Sequence, residues 1–284
     1  MSKSLSVFWQ YLLPQHWLSR LIGKLAHSRW PWLKNQLITH FIQHYQVDMS
    51  QALEPDPTRY ADFNAFFTRA LKPGIRRIDD APYSLVSPVD GCVSQVGRIQ
   101  AGRIFQAKNF YFSLVELLGG SEARALPFWN GHFATFYLAP KDYHRVHMPD
   151  SGKLEEMVYV PGRLFSVNRQ SVENISGIFA RNERVINIFN TSSGAMAVIL
   201  VGAMIVASIK TVWAGTVAPG MGREVQSWRY IGSDIQLNKG EEVGQFQLGS
   251  TVIVLMANSE MRMDTSLIPE QPILMGQPIG FLPN

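Results

Sequence analysis

Residues 195–209 read Ala-Met-Ala-Val-Ile-Leu-Val-Gly-Ala-Met-Ile-Val-Ala-Ser-Ile, and no charged residue occurs from Val185 to Ile209. The fold class turns on this stretch, because such a run is either a membrane helix or a pair of buried strands. Its 15 residues fall short of the roughly 20 that a helix needs to cross a bilayer. Gly202 and Ser208 interrupt it, β-branched residues are frequent in it, and the turn-forming cluster Asn190-Thr191-Ser192-Ser193-Gly194 precedes it. These features predict buried strands.

The same texture extends outward. Short apolar runs beside turn signals occur at Leu85–Gly91, Cys92–Val96, Phe133–Leu138, Lys153–Val160, Val185–Phe189 and Ser250–Met256, each of strand length. Upstream, Ala61–Leu71 reads as a helix ended by Lys72-Pro73-Gly74. The expected class is α+β, with N-terminal amphipathic helices packed on a larger, mainly antiparallel β body. The expected division is a helical region over 1–80 and a β-rich catalytic domain over 81–284. At 284 residues, 46% hydrophobic and 17% charged, the chain is neither a disordered polymer nor a polytopic membrane protein. A single cysteine, Cys92, excludes an intramolecular disulfide and a cysteine-rich zinc site and suits a reducing compartment. Cys92 itself reads as a small buried hydrophobe rather than a nucleophile.

Charge is unevenly spread. Residues 1–47 contain Lys3, Arg20, Lys24, Arg29 and Lys34 and no acid, so they carry +5, whereas the remainder sums to 21 minus 22, or −1. Basicity confined to one end argues against a nucleic-acid-coating protein. That segment also holds Trp9, Trp17, Trp30 and Trp32, a composition suited to an anionic headgroup layer. Trp17, Leu18, Leu21, Ile22 and Leu25 form a helical stripe, and Leu33, Leu37, Ile38, Phe41 and Ile42 repeat it after Pro31. Two amphipathic helices are expected, lying on a membrane without crossing it. The rival reading packs both stripes against the protein's own core or a second subunit.

Three places put polar groups where chemistry can use them. Ser87-Pro88-Val89-Asp90-Gly91 sets an acid in a turn, which alone reads as an Asx-turn. Tyr143-His144-Arg145-Val146-His147-Met148-Pro149 holds two imidazoles in a proline-flanked loop; no accompanying ligand cluster favours a metal there. Leu248-Gly249-Ser250-Thr251 puts a hydroxyl at the mouth of an apolar strand. Asp90, His147 and Ser250 together supply an acid, a base and a nucleophile.

With Phe63-Asn64-Ala65-Phe66-Phe67-Thr68-Arg69 added to those three motifs, in this order, the chain resembles the phosphatidylserine decarboxylases of the bacterial, membrane-associated type. The resemblance implies self-cleavage between Gly249 and Ser250 into a β chain of residues 1–249 and an α chain of residues 250–284. It implies that Ser250 becomes a covalent pyruvoyl group, which forms a Schiff base with phosphatidylserine and releases CO2 to leave phosphatidylethanolamine. His147 is then the base for cleavage, Asp90 the group that fixes its tautomer, and His144 the later proton donor. An anionic membrane, a peripheral position on the cytoplasmic side of the cell membrane, and a homodimer of αβ units complete the expectation. Two alternatives stand beside it: a serine hydrolase using Asp90, His147 and Ser250 without pyruvoyl formation, and a catalytically silent membrane-binding scaffold.

Overall fold

The computed structural model describes residues 10, 15–108, 110–204, 208–219, 222–247 and 250–282. Twelve strands position the site: β1 (Gly91–Arg98), β2 (His132–Leu138), β3 (Arg145–His147), β4 (Gly152–Val160), β5 (Arg184–Thr191), β6 (Gly194–Val201), β7 (Ser208–Thr211), β8 (Gly215–Ala218), β9 (Gln226–Arg229), β10 (Glu242–Gln247), β11 (Ser250–Met256) and β12 (Pro272–Ile273). A large antiparallel sheet runs β9-β4-β5-β6-β11-β2-β1-β12, with Gln236–Leu237 pairing beside β4, and a second antiparallel sheet runs β8-β7-β10-β3. The fold is α+β, as expected.

Within residues 195–209 the structure describes two strands, the bulk of β6 and the start of β7. β5 and β6 form a hairpin whose register closes at Thr191 opposite Gly194, where the polar cluster lies. Met196, Val198 and Leu200 enter one core and Ala197, Ile199 and Val201 the other. With both faces of the sheet covered, alternation gives way to a continuous apolar run. β11 repeats this, with Val252, Val254 and Met256 on one face and Ile253 and Leu255 on the other. Phe136 and Leu138 of β2 meet Val146 of β3 and Phe246 of β10 in the first core, so the second sheet packs on the face that carries the even positions of β11.

Among the described residues no helix is long and apolar enough to cross a membrane. The two N-terminal stripes separate in the structure. In α1 (Gln15–Ala26) the buried face is small and polar, made of Gln15, Ser19, Gly23 and Ala26, and the Gln15 side chain accepts from the Leu164 N–H at 2.8 Å. Trp17, Leu21 and Leu25 point outward at 65, 43 and 48% exposure; the Leu18 side chain lies outside the described residues. Helix α2 (Pro31–Tyr45) instead buries Ile38 and half-buries Phe41 and Ile42 against Phe63, Phe66 and Phe67. Own-core packing therefore accounts for much of the second stripe and, among the described side chains of the first, for Ile22 alone.

The helix expected over Ala61–Leu71 is shorter, α3 (Phe63–Phe67). Asp62 caps its start by accepting from the Ala65 N–H. At its end the Thr68 hydroxyl turns back to the Asn64 carbonyl. Residues 70–72 then pair with 51–53, through Leu53 N–H to Ala70 O and Lys72 N–H to Gln51 O, which takes those residues out of the helix.

Candidate active site

The end of β2 gathers the candidate residues. Cys92 of β1 and Thr251 of β11 both stand opposite Tyr137 of β2, so Asp90, in the turn that leads into β1, and Ser250, the first residue of β11, reach the same edge of the sheet. A Cβ at Gly91 would collide with the Tyr137 carbonyl; only glycine lets β1 close on β2 at this point. From Leu138, opposite Ser250, the chain turns into the loop that carries His144. The His144 carbonyl accepts from the Phe246 N–H at 3.0 Å, and the chain from Phe246 runs on through 248–249 to Ser250. Leu248, Gly249 and the Ser250 side chain lie outside the described residues; the backbone of Ser250 opens β11.

Asp90 is almost sealed. Its Oδ1 accepts from the Met275 N–H at 2.9 Å and its two oxygens take the Arg76 guanidinium at 2.9, 3.0 and 2.5 Å. Arg76 in turn donates to Gln51 at 2.7 Å, and Asp90 holds its pKa above the ordinary arginine value. His147 meets other partners. Its Nδ1 lies 2.8 Å from the Gly240 carbonyl and its Nε2 lies 3.0 Å from the Tyr143 hydroxyl. A carbonyl only accepts, so Nδ1 carries the proton, and in the neutral ring Nε2 accepts the Tyr143 O–H. The sequence reading expected Asp90 to fix this tautomer. In the structure the Gly240 carbonyl does so, and Asp90 acts on His147 only through its charge. Burial pushes the His147 pKa down, as does Arg145, against the opposing effects of the Gly240 bond, Glu242 and Asp90. His147 is therefore a free base at neutral pH.

His144 is fully buried and stacks on Phe67 of α3 at 4.0 Å between centroids. Burial, reinforced by the charge of Arg69, pushes its pKa down to about 3. The Ala139 and Pro140 carbonyls lie near its ring without forming hydrogen bonds to it. Cys92 is half-buried and burial raises its thiol pKa, so it holds its proton and is no nucleophile.

A cavity of about 260 Å³ opens beside these groups, lined among others by Arg69, Arg76, Asp90, Lys141, Asp142 and Tyr143. Sequence reasoning missed Arg76, Gly240 and the Tyr143 hydroxyl as partners. Tyr143 stood inside a quoted motif, but Arg76 and Gly240 carried no local signal.

Comparison with known proteins finds similarity along nearly the whole chain. A family model described as phosphatidylserine decarboxylase matches residues 63–281, and another described as PSD matches residues 5–46. Proteins named phosphatidylserine decarboxylase proenzyme are similar over nearly the whole chain. That of Marinobacter nauticus is 55% identical, covering 99% of each chain. That of Pseudomonas fluorescens is 56% identical, again covering 99% of each. That of Stutzerimonas stutzeri is 54% identical, covering 99% of this chain and 95% of its own.

Proposed function

The chain belongs to the phosphatidylserine decarboxylase family, and from that premise we propose how its residues reach and perform the chemistry. It decarboxylates phosphatidylserine and is made as a proenzyme. The same relatives do not favour the serine-hydrolase alternative.

In our reading the proenzyme cuts itself between Gly249 and Ser250. Ser250 Oγ attacks the Gly249 carbonyl, the acyl group passes from nitrogen to oxygen, and elimination followed by hydrolysis leaves a pyruvoyl group and ammonia, with residues 1–249 as β chain and 250–284 as α chain. His147, neutral at physiological pH, takes the serine proton. Asp90 lends negative charge to the imidazolium that forms, while Gly240 holds the ring. The neighbourhood suits a pyruvoyl group: the first residue of β11 is anchored by a seven-residue ladder to β2, whose end leads into the loop carrying the dry, neutral imidazole of His144. That group supplies the electron sink that loss of CO2 from an α-amino acid requires. His144, uncharged and stacked on Phe67, relays the proton that replaces the carboxylate, one ring nitrogen giving up its proton as the other takes one from solvent. Water is kept from this step by Phe67 and the β2 end, where Leu138 is fully buried.

The outward face of α1 supports membrane docking. Trp17, Leu21 and Leu25 expose apolar surface on a basic segment, the arrangement that binds an anionic leaflet from one side. Residues 1–80 act as the membrane-association region of a peripheral enzyme on the cytoplasmic side of the cell membrane, and residues 81–284 as its catalytic domain. We carry forward an assembly of two αβ units, which light scattering of the purified enzyme tests.

The gathering at the β2 end, where Ser250 opens β11 opposite Leu138 and the chain runs on into the loop of His144 and His147, carries the reading. Intact-mass measurement of purified protein tests it. Two fragments that meet before residue 250, the smaller with a blocked pyruvoyl end, are expected, and Ser250→Ala is expected to leave one chain of 32.0 kDa without activity. An uncut wild-type chain that still releases CO2 from phosphatidylserine refutes it.

A further inference from the structure

A buried polar atom without a hydrogen bond costs about 1–3 kcal/mol, so a group of them in one place calls for a function. Around α3 three such side chains occur among the described residues. Asn64, 3% exposed, has neither amide atom bonded; Arg69, 4% exposed, has Nε and Nη1 unbonded; His144, fully buried, has neither ring nitrogen bonded. Asn64 and Phe67 are three apart on α3 and share a face, and Phe67 is the residue stacked on His144. Arg69 lies over the Phe66 ring at 5.5 Å and lines the 260 Å³ cavity.

Hydrogen-bonding capacity in that cavity is unevenly taken up, while the charges of Asp48, Asp90 and Asp142 all still act on Arg69. Asp48 accepts from Ser50 and Gln51, Asp142 from the Ala139 N–H, and Asp90 from Arg76 and Met275. Arg76 is committed to Asp90 and Gln51. Arg69 uses only Nη2, on the carbonyls of Lys141 and Asp142, and keeps two N–H groups for an anion. Lys141, exposed, adds a second positive charge to the same lining.

We propose that Arg69, with Asn64 as a second donor, holds the phosphate of the phospholipid headgroup while its serine end faces His144. The headgroup offers two anions, and the chemistry selects between them. A guanidinium locked on the carboxylate would stabilise the ground state more than the transition state, in which that charge disperses as CO2 leaves. The phosphate keeps its charge throughout, so pairing with it anchors the lipid without opposing the reaction. This inference rests on the proposed decarboxylation site.

The test uses self-cleaved wild-type, Asn64→Leu and Arg69→Lys enzymes with phosphatidylserine in mixed micelles. Glycerophosphoethanolamine, which has the phosphate and no carboxylate, and L-serine, which has the carboxylate and no phosphate, serve as competing probes. In both variants KM is expected to rise about tenfold with a much smaller change in kcat, and glycerophosphoethanolamine to inhibit about tenfold less well. L-serine inhibition stays as in wild type. Asn64→Leu, which removes an unbonded buried amide, also raises the melting temperature, so its loss of affinity cannot come from misfolding. A higher melting temperature with unchanged KM and unchanged inhibition constants overturns the proposal. So does a loss confined to L-serine, which would assign the carboxylate instead. An uncut chain before residue 250 would overturn the underlying reading by a separate readout, mass.

Discussion

Removing the Arg76 side chain is the sharpest probe of how the acid at this site is held. The pair is nearly dry, with 10% of the Arg76 side chain and 7% of that of Asp90 exposed. Arg76→Met keeps the bulk and removes the charge, leaving Asp90 with the Met275 N–H as its described donor. Breaking one side of a buried pair costs about 3–5 kcal/mol, mainly because the other charge is stranded; the surviving Met275 bond argues for the lower end, about 3 kcal/mol. For a chain of this size each kcal/mol is worth roughly 2 °C, so the melting temperature is expected to fall by roughly 6 °C. The measurement belongs on a Ser250→Ala background, where every molecule is a single uncut chain. Combining Arg76→Met with Asp90→Asn should lose less than the two changes added separately, with a coupling of about 2 kcal/mol. In the chain with Ser250 intact, Arg76→Met should also slow self-cleavage, read as the ratio of cut to uncut protein over time. A single variant within about 0.5 kcal/mol of its parent, or a strictly additive double variant, would refute the view that Arg76 holds Asp90.

Three further outcomes are expected. Acid should weaken the fold through His144: its folded pKa is lowered to about 3 from an unfolded value near 6.5, so the unfolded chain binds the proton first and stability falls as pH drops below about 6.5. Roughly 2 kcal/mol is lost by pH 5 from this residue, and His144→Asn should flatten that part of a pH-dependent denaturation curve while abolishing decarboxylation by the cut enzyme. Changing Trp17, Leu21 and Leu25 together to serine should abolish sedimentation with anionic vesicles and leave the melting temperature within about 2 °C of wild type, because these side chains are already exposed; unchanged vesicle binding would remove α1 from the docking surface. Gly91→Ala should cost about 1–3 kcal/mol, since its Cβ meets the Tyr137 carbonyl and β1 must shift, and thermal unfolding on the uncut background measures it.

Much of this molecule is written locally. The continuous apolar runs of β6 and β11, the turn chemistry at 190–194 and the Gly-Ser junction at the start of β11 all act over a few residues, so the α+β class, the strand positions and the family motifs were legible without coordinates. The length of α3 was not, because its end depends on pairing between residues 70–72 and 51–53. The outward turn of α1 was equally hidden: periodicity shows that a stripe exists and says nothing about which face the body takes, and here the body takes the small polar face of Gln15, Ser19 and Gly23. The partners of the catalytic candidates lie further still from sequence. Asp90 meets Arg76 across 14 residues and His147 meets Gly240 across 93. A side chain's type advertises the chemistry it is capable of. The groups that set its charge and orientation arrive from distant segments, and only the closing of β1 on β2 and the packing of the second sheet against the first brings them there.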